Sequence, residues 1–508
     1  MNYPVWQVAF GSGWLIAVVA TLHVFVSHFA IGGGLFLVLL EGSAHRHDDE
    51  ALRAWLKRHS RFFLLLTLVF GALTGVGIWF TIGLISPEAT GRLIRIFVWG
   101  WAIEWVFFLV EILAILVYYY AWDRMETLTH RAVGWTYFGA AWASLAVING
   151  ILAFQLSPGA WLQDRSLLSA FFNPTYFSSL AVRTLVCLAL AGLYALASLA
   201  FTRNGLRPDL VKKSAVWVAA PVLLLPAAAW WYLRTVPALQ KTALTEVFYL
   251  PHLARTVMVS VSLLFLLAAV AWFSRSKWIL RPLSVLMLLL GFAALAFSEW
   301  TREDLRMPFL IAGDTYINQV PVARLAELRA KGILATSPWV SAAAVTPQNQ
   351  RRVGEELFRL ACSHCHTVRK GLIPLAPKMV AVDETFAANL ALRTDQMRGR
   401  MPPFPGTAEE ARAIAHYLRL SAMPVPQPGD GASVFRRRCG PCHTVSGAFR
   451  PLAKSLKGMA ESELSDLVQN LDSMNDKMPP WTGTNAERGA LCAWLAGQVK
   501  ASPVGGAP

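Results

Sequence analysis

The stretch Thr21-Leu22-His23-Val24-Phe25-Val26-Ser27-His28 is central to how this chain folds. It lies inside an apolar run that begins near Trp6 and ends near Leu40, which is long enough to cross a bilayer as a helix. An ionisable side chain inside such a helix is costly and by default marks a functional site. A buried, hydrogen-bonded histidine with a structural role is the alternative, but we favour a functional role for His23.

The composition predicts a polytopic membrane protein. Of the 508 residues, 55% are hydrophobic, and the mean hydropathy is +0.45, which is too apolar for an ordinary soluble protein. Eight apolar segments are long enough to span a bilayer: residues 12–40, 61–84, 97–121, 132–156, 176–201, 214–234, 248–273 and 278–299. Each should be helical, because lipid offers no partners to free backbone groups. The first run is too long for a cleavable signal peptide, so we expect it to remain as a helix.

Basic residues predict the orientation of this bundle. The loops after the first, third, fifth and seventh segments carry 14 Lys and Arg residues, whereas the loops after the second, fourth and sixth carry five. The positive-inside rule then places the first set in the cytoplasm. It also accounts for much of the net charge of +15 without a nucleic-acid partner. We therefore expect a multi-pass protein of the bacterial inner membrane whose N-terminus and C-terminal tail are periplasmic.

The C-terminal tail contains an internal repeat. Each copy has a Gly-x-x-x-Phe segment, a Cys-x-x-Cys-His motif and a Met-Pro-Pro sequence. The motifs are Cys362-Ser-His-Cys-His366 and Cys439-Gly-Pro-Cys-His443, and 35 residues separate each histidine from Met401 or Met478. An apolar helix is predicted to close each copy, over 411–420 and 488–498. A proline-rich stretch, 424–430, should link the two copies.

The repeated motifs predict two covalently attached haem groups. In each motif the two cysteines, Cys362 with Cys365 and Cys439 with Cys442, would form thioethers, and the adjacent His366 or His443 would be the proximal iron ligand. A zinc site or a redox dithiol is the alternative, but neither explains the two matching His-to-Met spacings. Met401 and Met478 are the predicted second ligands. Their competitors are Met379, Met397 and Met474.

Few ionisable residues lie within the predicted spans or at their ends. They are His23, His28, Glu104, Glu111, Arg183, His252, Arg255, Glu299 and Glu303. Seven residues separate Glu104 from Glu111, so both carboxylates should share one face of a helix. Carboxylates in rows within a membrane commonly relay protons. A water-lined polar patch with a packing role is the alternative.

Short motifs along residues 1–310 resemble subunit I of the cytochrome bd oxygen reductases. They are Thr21-Leu-His23, Gly32-Gly-Gly34, Gly71-Ala-Leu-Thr-Gly75, Ala102-Ile-Glu104, Trp122-Asp-Arg124, Asn149-Gly150, Asn173-Pro174, Arg255 with Met258, and Glu303-Asp-Leu-Arg306-Met-Pro308. The tail is similar to a diheme cytochrome c. The fold class expected is thus all-α, an eight-helix transmembrane bundle followed by two small α-helical cytochrome c domains. The expected boundaries are 1–305 for the membrane domain, 306–345 for a connector, and 346–425 and 426–508 for the two cytochrome c domains.

The resemblance implies roles for individual residues of the membrane domain. His23 matches the histidine that binds a high-spin haem b at the oxygen site, and Glu104 matches a ligand near that site. Glu111 matches a carboxylate beside the proton route, although its distance from Glu104 is one residue shorter than in the family. Glu303 matches the ligand of the other high-spin haem, which is a haem d or a second haem b, and Glu299 is its substitute.

The sequence departs from the family at the low-spin haem b. Met258 matches one of its two ligands, but Arg183 stands where the family has a histidine, and a guanidinium cannot bind iron. His252 is a candidate replacement, but it lies six residues before Met258 on the same predicted helix. The two side chains would then point to different sides of that helix and could not easily hold one haem. We therefore expect the low-spin haem to be absent and Arg183 to pair with a haem propionate. Arg255 and Arg306 lie in the matched motifs and are also expected to contact cofactor.

Two further departures concern the electron donor. The family's long quinol-binding loop is reduced here to about residues 234–247, and a ninth span is replaced by the haem-binding tail. The sequence thus predicts an oxidase that receives electrons from a soluble cytochrome c or similar donor and reduces O2. A quinol–cytochrome c electron-transfer protein without oxygen reduction and a reductase of nitric oxide are the alternatives. A second membrane subunit, related to subunit II or to subunit I, is the expected partner.

Overall fold

The computed structural model describes residues 5–202, 205–422, 429–447 and 449–501. In these residues, eight helices are long and apolar enough to cross a membrane. We label them α1 (Ser12–Arg46), α2 (Glu50–Ile85), α3 (Val98–Tyr120), α4 (Thr127–Leu156), α5 (Tyr176–Ala200), α6 (Pro208–Thr235), α7 (Leu250–Phe273) and α8 (Lys277–Arg306). The predicted all-α class and the eight spans are confirmed. Shorter helices between them cover Pro87–Ile96, Trp161–Asp164, Leu167–Phe171, Ala238–Lys241 and Ala243–Glu246.

Helix α2 begins 11 residues before the apolar segment that predicted it. Its first four turns are amphipathic and bury Leu52, Trp55 and Leu56. The carboxylate of Asp49 accepts a hydrogen bond from the amide of Leu52 at 2.8 Å and so caps the helix. Because this part of α2 mixes charged and apolar residues, a search for uniformly apolar segments does not detect it.

Helix α5 is the most deeply buried span of the bundle. Glycines allow it to approach its neighbours closely. A Cβ atom at Gly32 of α1 would lie 1.9 Å from the carbonyl oxygen of Cys187, and one at Gly192 would lie 2.6 Å from that of Ser214 in α6. Such contacts between small residues are the usual means by which membrane helices pack. They place α1, which carries His23, directly against α5, which carries Arg183.

The chain divides into two compact units. The helical bundle, Ile16–Gly83 and Glu88–Arg306, forms one of them. The other contains the N-terminal residues up to Leu15, the short segment Leu84–Pro87 and the region that begins at Met307. Within the second unit, strands Phe309–Ile311 and Thr315–Tyr316 pair antiparallel, and a 3-10 turn, Val322–Arg324, leads into helix Leu325–Lys331.

The tail repeat predicted from sequence has a structural counterpart. Further helices of this region are α9 (Gln350–Ala361), α10 (Glu384–Leu392), α11 (Ala408–Ser421), α12 (Glu461–Gln469) and α13 (Asn485–Ala501), with short turns at Ala376–Met379, Thr394–Gln396, Gly431–Val434, Phe435–Cys439 and Leu471–Met474. In the first copy α9 packs on α11, and a Cβ atom at Gly354 would lie 2.1 Å from the oxygen of Ala413. In the second, a Cβ atom at Gly431 would lie 2.1 Å from that of Ala490 on α13. The repeat therefore extends to the glycine that lets the first helix of each copy touch the last.

Two predicted features fall partly outside the described residues. The first is the predicted proline-rich linker, of which residues 424–428 are not described. The second is the set of basic residues predicted to be cytoplasmic, of which Arg203 is not described. The domain boundaries at 305, 345 and 425 remain predictions.

Candidate haem-binding sites

His23 is half-buried on α1 and held by its Nδ1 atom. This atom lies 3.2 Å from the carbonyl oxygen of Gly71 and 3.2 Å from Oγ1 of Thr74, both on α2. A Cβ atom at Gly75 would lie 3.2 Å from Cε1 of the ring, so the imidazole packs against a glycine. Since a carbonyl can only accept, Nδ1 carries the proton, and Nε2 is left as the basic nitrogen. Metal-binding histidines have this arrangement, which fixes the tautomer and orients the ring.

The helix that holds His23 is interrupted at the contact. Residues Leu65–Gly71 of α2 form a π-helical segment, and regular α-helix resumes at Ala72. Short π segments within α-helices occur frequently at functional sites. The motif Gly71-Ala-Leu-Thr-Gly75 thus supplies the carbonyl, the hydroxyl and the glycine that surround the ring. A nitrogen donor oriented in this way fits a haem iron.

Glu104 and Glu111 lie on one face of α3, as predicted. The hydroxyl of Ser144 on α4 donates to Oε1 of Glu104 at 3.3 Å and also interacts with Glu111. The two carboxylates are close enough to interact electrostatically. Ser144 was not identified from the sequence, because a single serine in a transmembrane helix carries no pattern.

A buried polar cluster continues the same face of α3. Tyr118 follows Glu111 by seven residues, and its hydroxyl donates to Oε2 of Glu41 at 2.7 Å. His130 Nδ1 lies 2.7 Å from Oε1 of the same carboxylate. All three side chains are buried. Sequence analysis overlooked them because Glu41 and His130 lie at the ends of the apolar segments, where charged residues are common.

Arginines engage both carboxylates proposed for the second high-spin haem. Glu299 accepts hydrogen bonds from Arg183 at 3.0 Å and from Arg302 at 2.8 Å. Glu303 accepts one from Arg302 at 2.7 Å and contacts Arg306. Both glutamates thus lie in one network of charges at the end of α8. Arg302, the residue that bridges them, was not predicted.

The residues at the expected low-spin haem position differ in their exposure. Arg183 is buried on α5 and paired with Glu299, as described above. On α7, Met258 has 65% of its surface exposed, and Arg255 and His252 are exposed as well. The buried histidine that interacts electrostatically with Arg183 and Glu299 is His28 on α1.

The histidines of the two Cys-x-x-Cys-His motifs have the same environment as each other. His366 Nδ1 lies 3.1 Å from the carbonyl oxygen of Ile373, and His443 Nδ1 lies 3.1 Å from that of Arg450. In both copies the carbonyl belongs to the seventh residue after the histidine, and that residue has a positive φ, 42° for Ile373 and 41° for Arg450. This conformation is strained for Ile373, which is β-branched, and strained residues cluster at functional sites.

The chemistry of these groups fits a covalent haem. Burial lowers the pKa of His366 and of His443, which favours the neutral imidazole that binds iron. Burial also raises the pKa of the Cys362 and Cys439 thiols to about 12, so both are uncharged at neutral pH. In addition, no group of three or more His, Cys, Asp or Glu side chains in the described part of the chain is arranged to hold a metal ion. The residues fit haem c.

The methionines of the tail differ in their packing. Met379 and Met397 pack against a buried cluster that includes Val382 and Phe386, so their side chains are used by the core of the first copy. Met474 has 64% of its surface exposed. Met401 and Met478 are both half-buried. This distribution favours Met401 and Met478 as the second iron ligands.

Two family models match separate parts of this membrane-spanning chain. The family model described as cytochrome bd terminal oxidase subunit I matches residues 12–233. The model described as cytochrome C oxidase, cbb3-type, subunit III matches twice, over residues 349–418 and 426–495. The chain therefore carries a cytochrome bd subunit I domain at its N-terminus and cbb3-type cytochrome c domains at its C-terminus, which imply haem b and covalent haem c.

A solved structure has a similar fold over part of the chain. The bd oxidase from Geobacillus thermodenitrificans matches with a TM-score of 0.52 at 16% identity, over 60% of this chain and 89% of that chain. At this identity the likeness shows the fold alone. No curated protein sequence matches the chain significantly.

Proposed function

We propose that this protein is the oxygen-reducing subunit of a membrane oxidase that receives its electrons from a soluble cytochrome c or a similar carrier. The reaction combines one O2 with four electrons and four protons to give two water molecules. The observation that supports it best is the arrangement of His23, whose Nδ1 is held by the carbonyl of Gly71. His366 and His443 have equivalent contacts, so three histidines are oriented for iron in one chain.

In this proposal the membrane domain holds two high-spin haems. His23 is the ligand of a haem b, with Glu104 beside it, and Glu303 is the ligand of the other, a haem d or a second haem b. When bound, such a haem would supply the iron at which O2 is reduced. Arg306, which is buried and contacts Glu303, would balance the charge of a propionate or of that carboxylate.

Glu111 and Glu104 deliver protons in this proposal. Their shared partner Ser144 bridges them, and the cluster of Tyr118, Glu41 and His130 extends the polar face of α3 towards the loop predicted to be cytoplasmic. A carboxylate and a hydroxyl can pass a proton along such a row, because each both donates and accepts.

The low-spin haem b is absent in this proposal. The ion pair of Arg183 with Glu299 supports this, because it uses the guanidinium within the bundle and a guanidinium cannot bind iron. Arg183 and Arg255 are retained as contacts to cofactor carboxylates. Met258 would then have no iron to bind.

The proposed donor is a soluble carrier rather than quinol. Residues 236–249 between α6 and α7 contain two one-turn helices, Ala238–Lys241 and Ala243–Glu246. A connection this short offers little chain to enclose a quinone headgroup. The cytochrome c domains provide a different entry for electrons, and we propose that they lie on the periplasmic side with the N-terminus. The proposed partner within the membrane is a subunit related to bd subunit II or to subunit I.

An oxygen electrode tests the proposal. Purified protein with its partner subunit should consume O2 when supplied with reduced soluble cytochrome c and should not consume O2 when supplied with ubiquinol or menaquinol alone. No oxygen uptake at saturating reduced cytochrome c would contradict oxygen reduction with this donor. Uptake of nitric oxide in place of O2 under the same conditions would assign a different acceptor.

A further inference from the structure

The first haem-attachment motif is bound to the N-terminal segment of the chain. The amide of Gly13 donates to the carbonyl oxygen of His364 at 3.0 Å, and Ser86 Oγ lies 3.3 Å from Nδ1 of the same histidine. The amide of Leu372 donates to the carbonyl oxygen of Phe10 at 3.1 Å. All of these residues belong to one compact unit. The loop that carries the motif is thus hydrogen-bonded at two separate points.

Glycines allow this contact to form between backbones. A Cβ atom at Gly13 would lie 2.8 Å from the oxygen of His364. A Cβ atom at Gly371, which has φ +110°, would lie 2.7 Å from the oxygen of Phe10. Any side chain larger than hydrogen at either position would force the two segments apart, since the atoms it meets are backbone. We call Phe10–Gly13 together with Ser86 the N-terminal seat.

The second motif makes the equivalent contact with the first cytochrome c domain. Pro441 occupies the same position in its motif as His364, and its carbonyl oxygen accepts a hydrogen bond from the amide of Arg398 at 2.9 Å. Arg450 Nη2 donates to Oε1 of Gln396 at 3.1 Å. In each motif the carbonyl group of the third residue therefore accepts a hydrogen bond from an earlier part of the chain. For the first motif this is the N-terminal seat, and for the second it is the segment 396–398 of the first cytochrome c domain.

We propose that the two cytochrome c domains act in series, with the second as the outer domain that meets the donor and the first as the inner domain. This inference rests on the proposed function. Gly13 belongs to α1, the helix that also carries His23, so the first motif is the one that is hydrogen-bonded to the helix of the proposed membrane haem ligand. Each transfer oxidises one donor molecule and brings one electron to the outer domain, and four of them with four protons reduce one O2.

Removal of either attachment motif tests the order without any oxygen chemistry. One variant combines Cys362→Ala with Cys365→Ala, and the other combines Cys439→Ala with Cys442→Ala. The oxidised full-length protein is mixed anaerobically with a prereduced soluble cytochrome c, and reduction of its remaining haem c is followed by absorbance. A diffusible chemical reductant should reduce the remaining haem c in both variants, which controls for folding.

The two variants should differ in a defined direction. Without the first motif, the remaining haem c should be reduced at the wild-type rate. Without the second, its reduction should slow by more than about tenfold, because docking of the donor sets the association rate. The reverse pattern, or equal rates in the two variants, would overturn the proposed order of the two domains. Failure of the proposed function would be seen separately, as absence of oxygen uptake by the wild-type protein with the chemical reductant.

The seat itself is tested by Gly13→Val, with Gly139→Val as the matched control. Gly139 lies on α4, and a Cβ atom there meets nothing within 4 Å. In Gly13→Val, anaerobic reduction of both c haems by the donor should be unchanged, but during turnover with O2 the c haems should stay more reduced than in wild type. A steady-state reduction level equal to that of Gly139→Val would contradict the role of the seat.

Discussion

The Nδ1 atom of His23 lies 3.2 Å from the carbonyl oxygen of Gly71, which belongs to a π-helical segment of α2. This contact decides which ring nitrogen is basic, and it uses a carbonyl made available by the change in helical geometry. The position of the histidine is thus determined by a helix that is distant in sequence.

The glycine beside His23 should be needed for haem b. In Gly75→Val the added atoms would meet Cε1 of His23, where even a Cβ atom lies only 3.2 Å away, and displace the ring. Changes around a metal-binding histidine typically cost about 10–100-fold in affinity. Pyridine haemochrome analysis should therefore show a lower ratio of haem b to haem c. Gly83→Val, about two turns further along α2, is the control, since a Cβ atom there meets nothing within 4 Å. Equal ratios in the two variants would disprove the role of Gly75.

Glu111 should be needed for proton delivery but not for electron entry. Glu111→Gln keeps the shape of the side chain and removes the proton carrier, so oxygen consumption should fall by about 10²-fold or more. Anaerobic reduction of the c haems by reduced cytochrome c should remain at the wild-type rate. Glu126→Gln, in an exposed loop, serves as the control and should leave both rates unchanged. A Glu111→Gln protein with full oxygen consumption would show that protons take another route.

Met401, and not Met397, should be the second ligand of the first haem c. Methionine ligation raises the reduction potential of a haem, so Met401→Ala should lower the midpoint potential of one c haem in a redox titration. Met397→Ala should cost about 1 kcal/mol or more of packing free energy without lowering that potential, because Met397 packs against the buried cluster. A lowered potential in Met397→Ala alone would reverse the assignment. Met474→Ala, at an exposed position, should change neither property.

Asp383 should make the contact between the two cytochrome c domains sensitive to acid. Burial alone would raise its pKa, but hydrogen bonds from Thr482 and the amide of Phe386 and the nearby Arg438 guanidinium hold the pKa below its usual range. A carboxyl with a lowered folded pKa stabilises the folded state above its ordinary pKa of about 3.9 and loses this contribution as the pH falls through the folded value.

Thermal unfolding of the cytochrome c region, followed by haem absorbance, should thus occur at lower temperature below about pH 4. Asp383→Asn should lower the unfolding temperature at pH 7 and reduce its dependence on acid. Asp472→Asn, on an exposed turn of the second domain, should leave the pH profile as in wild type. If Asp383→Asn had the same pH profile as wild type, this carboxylate would not stabilise the contact between the two domains.

Much of the fold was predictable from sequence because its signals are local. Apolar length alone located eight spans, and the equal spacing of His366 to Met401 and of His443 to Met478 exposed the repeat. The start of α2 was missed because Trp55 and Leu56 alternate with charged residues there. A search for uniformly apolar segments detects a helix that lies in lipid. It does not detect an amphipathic extension of that helix, because charged residues there make the segment look like a loop.

The sites were predictable as residues but not as contacts. His23 stood out because a histidine in lipid is costly, but its partner Gly71 is 48 residues away and acts through a backbone carbonyl, which has no sequence signature. Ser144 and Arg302 were missed for the same reason, since their roles depend on which helices pack together. The contact of Gly13 with His364 joins residues 351 positions apart and could be found only in the folded chain.

Carbon monoxide binding to the reduced protein tests whether His23 holds the haem at which O2 reacts. A haem with an open axial position binds this ligand, whereas a haem with His and Met ligands does not. The reduced wild-type protein should show a b-type or d-type carbon monoxide difference spectrum, and His23→Leu should lose the b-type component while keeping both c-type haems and losing oxygen consumption. A His23→Leu protein with an unchanged carbon monoxide spectrum and normal oxygen uptake would contradict the assignment.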